Sequence, residues 1–282
     1  MSSLDDMPSD ESSSVQEVAA LWELSEQEQE ELVDLRQRLL DVQSPLNQWR
    51  DLVRFLRARP GNVTAAETMF RQMVQWRTVH QVDATLKTYT PPSEMLRYYP
   101  GALLEGFDRE GDPVFVSRLG VTDGVGLLHR YGKDEMIRHA IWIRELVVQK
   151  VKEVEEKRGR PVRRICLIED LHGLSLKTHG HRGLLSAYGE IMRLDQDNYP
   201  ETAKKLLIVR APTLFRMIWS MAKHFFDPGV VRKMVFCGVS DYQTVLDQYV
   251  ELEVLPEEIV PGIGRGKAVE GMPSDFLGGR LP

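Results

Sequence analysis

Ile165-Cys166-Leu167-Ile168 is a run without a polar position. A strand wetted on one face alternates apolar and polar residues, whereas a strand covered on both faces is apolar throughout, as in parallel sheets flanked by helices. Two further runs of this kind follow, Leu206-Leu207-Ile208-Val209 and Met234-Val235-Phe236-Cys237. Helical periodicity separates them, over about Gly183 to Asp195 and about Leu214 to Phe226, and a longer helical stretch, about Lys133 to Arg158, precedes the first run. Strands alternating with helices predict an α/β domain with a largely parallel sheet. Upstream, Leu103 to Phe107 and Pro113 to Arg118 flank the turn Asp108-Arg109-Glu110-Gly111-Asp112 and read as a hairpin.

The opening section is purely helical. Val18, Leu21, Leu32, Leu35 and Leu39 fall mostly at helical spacing among many Glu and Gln, which predicts one or two solvent-facing helices over Val15 to Leu40. A helix from about Leu46 to Ala58 carries Trp49, Leu52, Val53 and Leu56 on one face and Arg50, Arg54 and Arg57 on another, until Pro60-Gly61 stops it. Thr64 and Glu67 form a capping-box pattern for the next helix, whose face is Ala66, Met69, Phe70, Met73 and Trp76. Pro91-Pro92 closes this section. The expected organisation is an acidic disordered stretch at 1–14, a helical module at 15–90, the α/β domain at 91–262 and a tail at 263–282.

Composition narrows the function. In 282 residues, 36 basic side chains face 42 acidic ones, a net charge of −6, the wrong sign for a protein held on nucleic acid by phosphate contacts. Cys166 and Cys237 are too few for a secreted disulfide framework, and each lies in an apolar run, so they read as reduced, buried thiols of a cytosolic protein. There is no run of the roughly 18 apolar residues a membrane span requires. No Walker A loop and no Gly-x-Ser-x-Gly elbow occur, so no catalytic residue is assigned and an enzyme reading has little support. Gly262-Ile263-Gly264-Arg265-Gly266 reads as a turn, and His172, His179 and His181 as exposed loop histidines without the partners a metal site needs.

One stretch departs from the pattern of a surface helix. In Pro212 to Pro228, Arg216, Ser220 and Lys223 form a narrow polar stripe, while Leu214, Phe215, Met217, Ile218, Trp219, Met221, Phe225 and Phe226 cover most of the rest. Ordinary surface helices have the reverse proportion. Ala203 to Lys233 holds seven basic residues (Lys204, Lys205, Arg210, Arg216, Lys223, Arg232, Lys233) against one acid, Asp227, a local charge of +6. An apolar helix in basic surroundings suits reversible contact with an anionic lipid surface. The alternative is a helix buried nearly all round, with the charges on different faces.

Six ordered blocks resemble the CRAL-TRIO lipid-transfer family. They are Leu52-Val53-Arg54-Phe55-Leu56-Arg57-Ala58-Arg59 with Trp76-Arg77; Gly106 to Val114; Glu169-Asp170-Leu171-His172-Gly173-Leu174-Ser175; Asn198-Tyr199-Pro200-Glu201; Arg210 to Phe215 with Phe226-Asp227-Pro228; and Leu255-Pro256-Glu257-Glu258. The resemblance runs over about 30–262 and is nearest to the phosphatidylinositol-transfer branch and its animal relatives, without the β-sandwich domain that some of those append. It implies a sheet-floored apolar pocket holding one lipid as cargo, with no cofactor, closed by a gate helix at about Thr213 to Phe226. Leu214, Phe215, Ile218, Trp219, Phe225 and Phe226 would then meet the membrane.

The family's phosphoinositide site falls on Arg59, Glu201 and Lys233, where an inositol phosphate offers an anion to Arg and Lys and hydroxyls to a carboxylate. Each also has a local reading, with Arg59 pairing a nearby acid, Glu201 starting a helix and Lys233 standing as a surface cation. Val230 stands where the family has a Thr, which removes one hydroxyl contact. Ser175 matches a position beside a choline headgroup in relatives, or serves as a turn serine. The resemblance thus implies a cytoplasmic, monomeric phospholipid carrier, transiently on anionic membranes, moving phosphatidylinositol in exchange with phosphatidylcholine and named to no protein partner. A carrier of a small lipophile such as tocopherol, retinoid or squalene, and a lipid-sensing interaction module, stay open beside it.

Overall fold

The computed structural model describes residues 14–213, 215, 219–220, 223–273, 276, 278–279 and 281. The chain divides into two compact units, 1–77 and 78–282, so the boundary falls earlier than the expected 90/91. Of the acidic stretch 1–14, only Ser14 is among the described residues.

The first unit is helical: α1 (Val15–Trp22), α2 (Glu26–Arg38), α3 (Trp49–Ala58) and α4 (Val63–Val79). Ser14 with Glu17 and Ser25 with Glu28 form complete capping boxes at α1 and α2, which satisfies the orphan N–H groups of each first turn. Helix α3 begins later than the sequence suggests because Asn47 is buried and its amide donates to the carbonyls of Leu39 and Val42, fixing the loop ahead of it. The expected Thr64 cap is corrected to Asn62, whose Oδ1 accepts from Ala65 N at 2.9 Å. Asn62 comes first after the Pro60-Gly61 stop and caps a helix at least as well as Thr. Trp22, Leu32, Leu35, Leu39, Leu52, Leu56, Phe70 and Met73 form the core, so the Glu-rich helices bury one stripe and expose the rest.

The second unit is built on one sheet. β1 (Gly101–Phe107) and β2 (Pro113–Ser117) pair antiparallel, then β3 (Ile165–Asp170), β4 (Ala203–Val209) and β5 (Met234–Phe236) add in parallel, in the order β1-β2-β3-β4-β5. The hairpin turn forms as expected: Asp108 Oδ1 accepts from Glu110 N and Asp112 N, and Gly111 takes φ 86°.

Three short helices, α5 (Thr85–Thr88), α6 (Ser93–Tyr98) and α8 (Leu176–His179), accompany two long ones, α7 (Gly124–Arg158) and α9 (Arg182–Asn198). Helix α7 breaks at Gly132, where φ is 80° and ψ 170°, so its second part starts at the expected Lys133. Consecutive parallel neighbours joined by right-handed crossovers place α7 and α9 on one face of the sheet, and the two helices pack together. Arg144 on α7 grips Asp195 on α9 through two bonds of 2.7 and 2.6 Å.

The residues 263–282, expected as a tail, return in their described part to the fold. Glu105 N donates to Lys267 O and Val269 N to Leu103 O, which covers the free edge of β1, and Met272 and Phe276 are buried. The glycine-rich 262–266 segment is a turn, as expected. At Gly266 any side chain would strike the Val254 carbonyl 1.9 Å away. Cys166 and Cys237 are free and buried, and burial pushes the thiols up to about 12 and about 11.

Candidate functional site

Register separates the sheet into two faces. Val114, Val116, Cys166, Ile168, Asp170, Leu207 and Val209 share one face, and none exceeds 1% exposure. Asp170 there takes bonds from Arg118 Nε at 3.1 Å and from Arg210 Nε and NH2 at 2.8 and 2.6 Å. The same guanidiniums reach the carbonyls of Phe276 and Glu258, so this buried ion cluster fastens the C-terminal segment to the sealed face.

The other face, toward α7 and α9, carries Phe115, Ser117, Leu167, Glu169, Leu206, Ile208, Met234 and Phe236. Ser117, Leu167, Glu169, Leu206 and Met234 are only half-buried although their strands are central or helix-covered, and Phe236 is 44% exposed. An apolar run covered on both faces was expected; here one cover is incomplete.

Glu169 shows the consequence. Its carboxyl lies deep among protein groups and burial raises its pKa to about 7, yet the side chain keeps accessible surface. Both hold if it borders an internal space. Glu169 accepts from Leu119 N at 3.0 Å, while Tyr99, Tyr188 and Arg144 are close enough to act on it or feel its charge. Near them His139 is buried, stacks on Trp142 with centroids 5.8 Å apart, and titrates at about 4 because burial disfavours its cation. Among the described residues neither its ring nitrogens nor the Tyr188 hydroxyl has a hydrogen-bond partner.

Over the β5 end of this face gather the aromatic rings of the anomalous stretch. Ring centroids lie 5.7 Å apart for Phe215 and Phe236, 5.2 Å for Trp219 and Phe236, and 5.5 Å for Trp219 and Phe226. Phe215, Trp219 and Ser220 are helical, and Lys223–Phe225 form a 3-10 turn. Leu214, Ile218 and the side chain of Phe225 lie outside the described residues.

The basic surroundings are partly used up by pairing. Lys204 bonds Asp108, Glu110 and Asp112 of the hairpin turn at 2.8 to 3.0 Å, Arg210 bonds Asp170, and Lys233 bonds Glu201. Lys223 and Arg232 remain exposed. The +6 counted along the sequence is therefore smaller in space, since the acids come from elsewhere in the chain.

At the amino ends of three adjacent strands, the predicted residues Glu201 and Lys233 meet. Tyr199 ends α9, and the Tyr199-Pro200-Glu201-Thr202 turn is closed by Thr202 Oγ1 donating to Tyr199 O at 2.7 Å. Glu201 takes φ 55°, a left-handed conformation that costs a residue with a Cβ about 1 kcal/mol. Lys233 ends the turn after α10 (Pro228–Val231), its N–H on the Val230 carbonyl. Lys233 Nζ donates to Glu201 Oε1 at 2.7 Å, and Arg164, directly before β3, donates to Oε2. Sequence reasoning missed Arg164. Its signal was a basic pair, Arg163-Arg164, abutting an apolar run, and only a parallel sheet brings it beside Glu201.

The other predicted residues, Arg59 and Ser175, make local bonds. Arg59 is half-buried at the C-cap of α3 in the first unit, its guanidinium on the Ala58 carbonyl at 2.9 Å. Ser175 follows the opposite, carboxyl end of β3 and is the N-cap of α8, its Oγ 2.7 Å from Thr178 Oγ1; these bonds are those of the local reading. Among the histidines, His172 and His181 are exposed as expected, but His179 is buried and ties α8 to the Leu119 carbonyl at 2.9 Å. No group of His, Cys, Asp and Glu among the described residues could hold a metal, and none of the described helices is long and apolar enough to cross a membrane.

The chain is similar to known proteins in sequence and in fold. The chain is 34% identical over 241 residues to protein real-time of Anopheles gambiae, covering 84% of this chain and 35% of that protein. It is also 34% identical over 242 residues to protein real-time of Drosophila melanogaster, covering 84% and 36%. The chain thus spans about a third of the length of these curated relatives. The crystal structure of Sfh5 shares the fold with a TM-score of 0.61 at 18% identity, over 76% of this chain and 71% of that one. The CRAL/TRIO domain family matches residues 80–259, the span that holds the sheet, its half-open face and the Glu201 edge, and the chain is a member of that lipid-binding and transfer family.

Proposed function

We infer that the protein carries one phospholipid, phosphatidylinositol, with its acyl chains over the half-open face of the sheet and its headgroup at the amino edge of β3, β4 and β5. The observation that supports this reading best is the pairing of Lys233 and Glu201 at 2.7 Å beside strands whose helix-side residues are left incompletely covered. A cation suits the lipid phosphate and a carboxylate suits the inositol hydroxyls. Burying two acyl chains at about 0.8 kcal/mol per methylene amounts to roughly 25 kcal/mol gross, so the lipid leaves only onto another membrane. Phe215, Trp219 and Phe226, with Lys223 and Arg232 exposed nearby, are the groups through which the protein touches an anionic bilayer. The protein then works in the cytoplasm as a monomer, without a cofactor and without covalent chemistry.

The test is transfer of phosphatidylinositol between vesicles, with lipids recovered from protein purified from its native host identified by mass spectrometry. Glu201→Ala and Lys233→Ala each lower inositol-lipid transfer about tenfold or more while the protein stays folded, because each removes a charged hydrogen bond. A second reading, a carrier of a small lipophile such as tocopherol, retinoid or squalene, is favoured by the way Glu201 and Lys233 satisfy each other. Recovery of such a lipophile alone, with transfer unaffected by both substitutions, selects it.

A further inference from the structure

We propose that Glu169 is the specificity-determining residue of a second polar subsite on the half-open face, one that takes the hydroxyl of an uncharged long-chain alcohol. This rests on that face being the lipid-bearing one, and not on the inositol reading of Glu201 and Lys233. Glu169 stands four residues beyond Ile165, so at about 3.3 Å per residue it lies roughly 13 Å along β3 from the amino edge where Glu201 and Lys233 meet. An inositol ring held at that edge does not span this distance.

The strand residues that share its face are apolar apart from Ser117, so Glu169 is the one charged side chain among them. Its carboxylate accepts from Leu119 N at 3.0 Å and from the Ser117 hydroxyl, two of its roughly four acceptor positions. The others meet no donor among the described residues, and the side chain keeps accessible surface. Two phenols stand close enough to feel its charge: Tyr99, half-buried, and Tyr188, whose buried hydroxyl has no hydrogen-bond partner among the described residues. Folded proteins rarely leave a buried hydroxyl unsatisfied, so a further polar group belongs here.

Electrostatics select a neutral group. Arg144 is tied to Asp195 through two bonds, yet its guanidinium still acts on Glu169 and Tyr99. A ligand anion is opposed by Glu169. A ligand cation is opposed by Arg144 and has to draw out a proton that burial favours on Glu169. Hydrogen bonding then selects an alcohol. A hydroxyl donates to the ionised carboxylate and accepts from the protonated one or from a phenol, so it suits the site in both states. An ether or carbonyl oxygen only accepts, and leaves the carboxylate without a donor.

The experiment displaces a fluorescent phospholipid from the full chain with octadecanol, methyl octadecyl ether, octadecylamine and octadecanoate, which share one apolar chain and differ at its end. Octadecanol is expected to bind about tenfold more tightly than the ether, and more tightly than the amine or the acid. In Glu169→Leu the preference over the ether disappears while the ether binds at least as well. In Glu169→Gln, which keeps a donor and an acceptor without the charge, most of the preference remains. Thermal unfolding is the folding control, and if Glu169→Leu does not fold, Glu169→Met decides in its place. Equal binding of alcohol and ether by the unsubstituted protein overturns the proposal, as does an alcohol preference that survives in the folded apolar variant. Tighter binding of the amine than of the alcohol also overturns it, and marks a cation site. Should no octadecyl compound displace the phospholipid, the half-open face is not the lipid site and the proposal falls with it. Should Glu201→Ala and Lys233→Ala abolish inositol-lipid transfer while alcohol and ether bind alike, the headgroup reading stands and only the role of Glu169 fails.

Discussion

Glu169 and Asp170 are neighbours in sequence, and the sheet puts them in different worlds. Asp170 faces the sealed side at 0% exposure and is gripped by two guanidiniums. Glu169 faces the helix side, with no ion pair among the described residues, and burial raises its carboxyl pKa to about 7. One face is finished by the chain itself, through Arg118, Arg210 and the returning C-terminal segment. The other, among the described residues, is left with half-covered apolar side chains and a few unsatisfied polar groups.

The largest test of this contrast is Asp170→Asn, which leaves two buried guanidiniums short of their counter-charge. The expected destabilisation is about 3–5 kcal/mol by urea unfolding, and a loss below about 1 kcal/mol would mean that water or other groups satisfy Arg118 and Arg210. Leu207 and Leu206 sharpen it next, because they are adjacent and identical but face opposite sides. Leu207→Ala on the sealed face is expected to cost about 2–4 kcal/mol, and Leu206→Ala less than about half as much. Equal costs in denaturant titrations would remove the asymmetry on which the half-open face rests.

The smallest expected effect is electrostatic. Because the folded pKa of Glu169 lies above its ordinary value, folding favours the protonated carboxyl, so its contribution is fully present below about pH 4.5 and is lost as pH rises through about 7. Stability should fall across that window by about 1–2 kcal/mol, less than a fully enclosed carboxyl would show because the side chain borders accessible space. In Glu169→Gln this component of the pH slope disappears. A slope identical to that of the unsubstituted protein places the titration on another group.

Much of this was legible beforehand. The hairpin, the three apolar runs as parallel strands and the helix restarting at Lys133 all follow from features a few residues long or from an ordered set of motifs. Local steric and hydrogen-bonding preferences act over that range, so composition and spacing suffice to predict the elements and their class. The differing faces, the Asp170 cluster, the return of 267–276 to β1 and the grip of Arg164 on Glu201 were decided by tertiary structure alone. Each joins residues distant in the chain, and which side of a strand a residue faces depends on register, which only the assembled sheet defines. The same reason explains the shrunken basic patch, because charges summed along a sequence are cancelled by partners that folding brings from elsewhere.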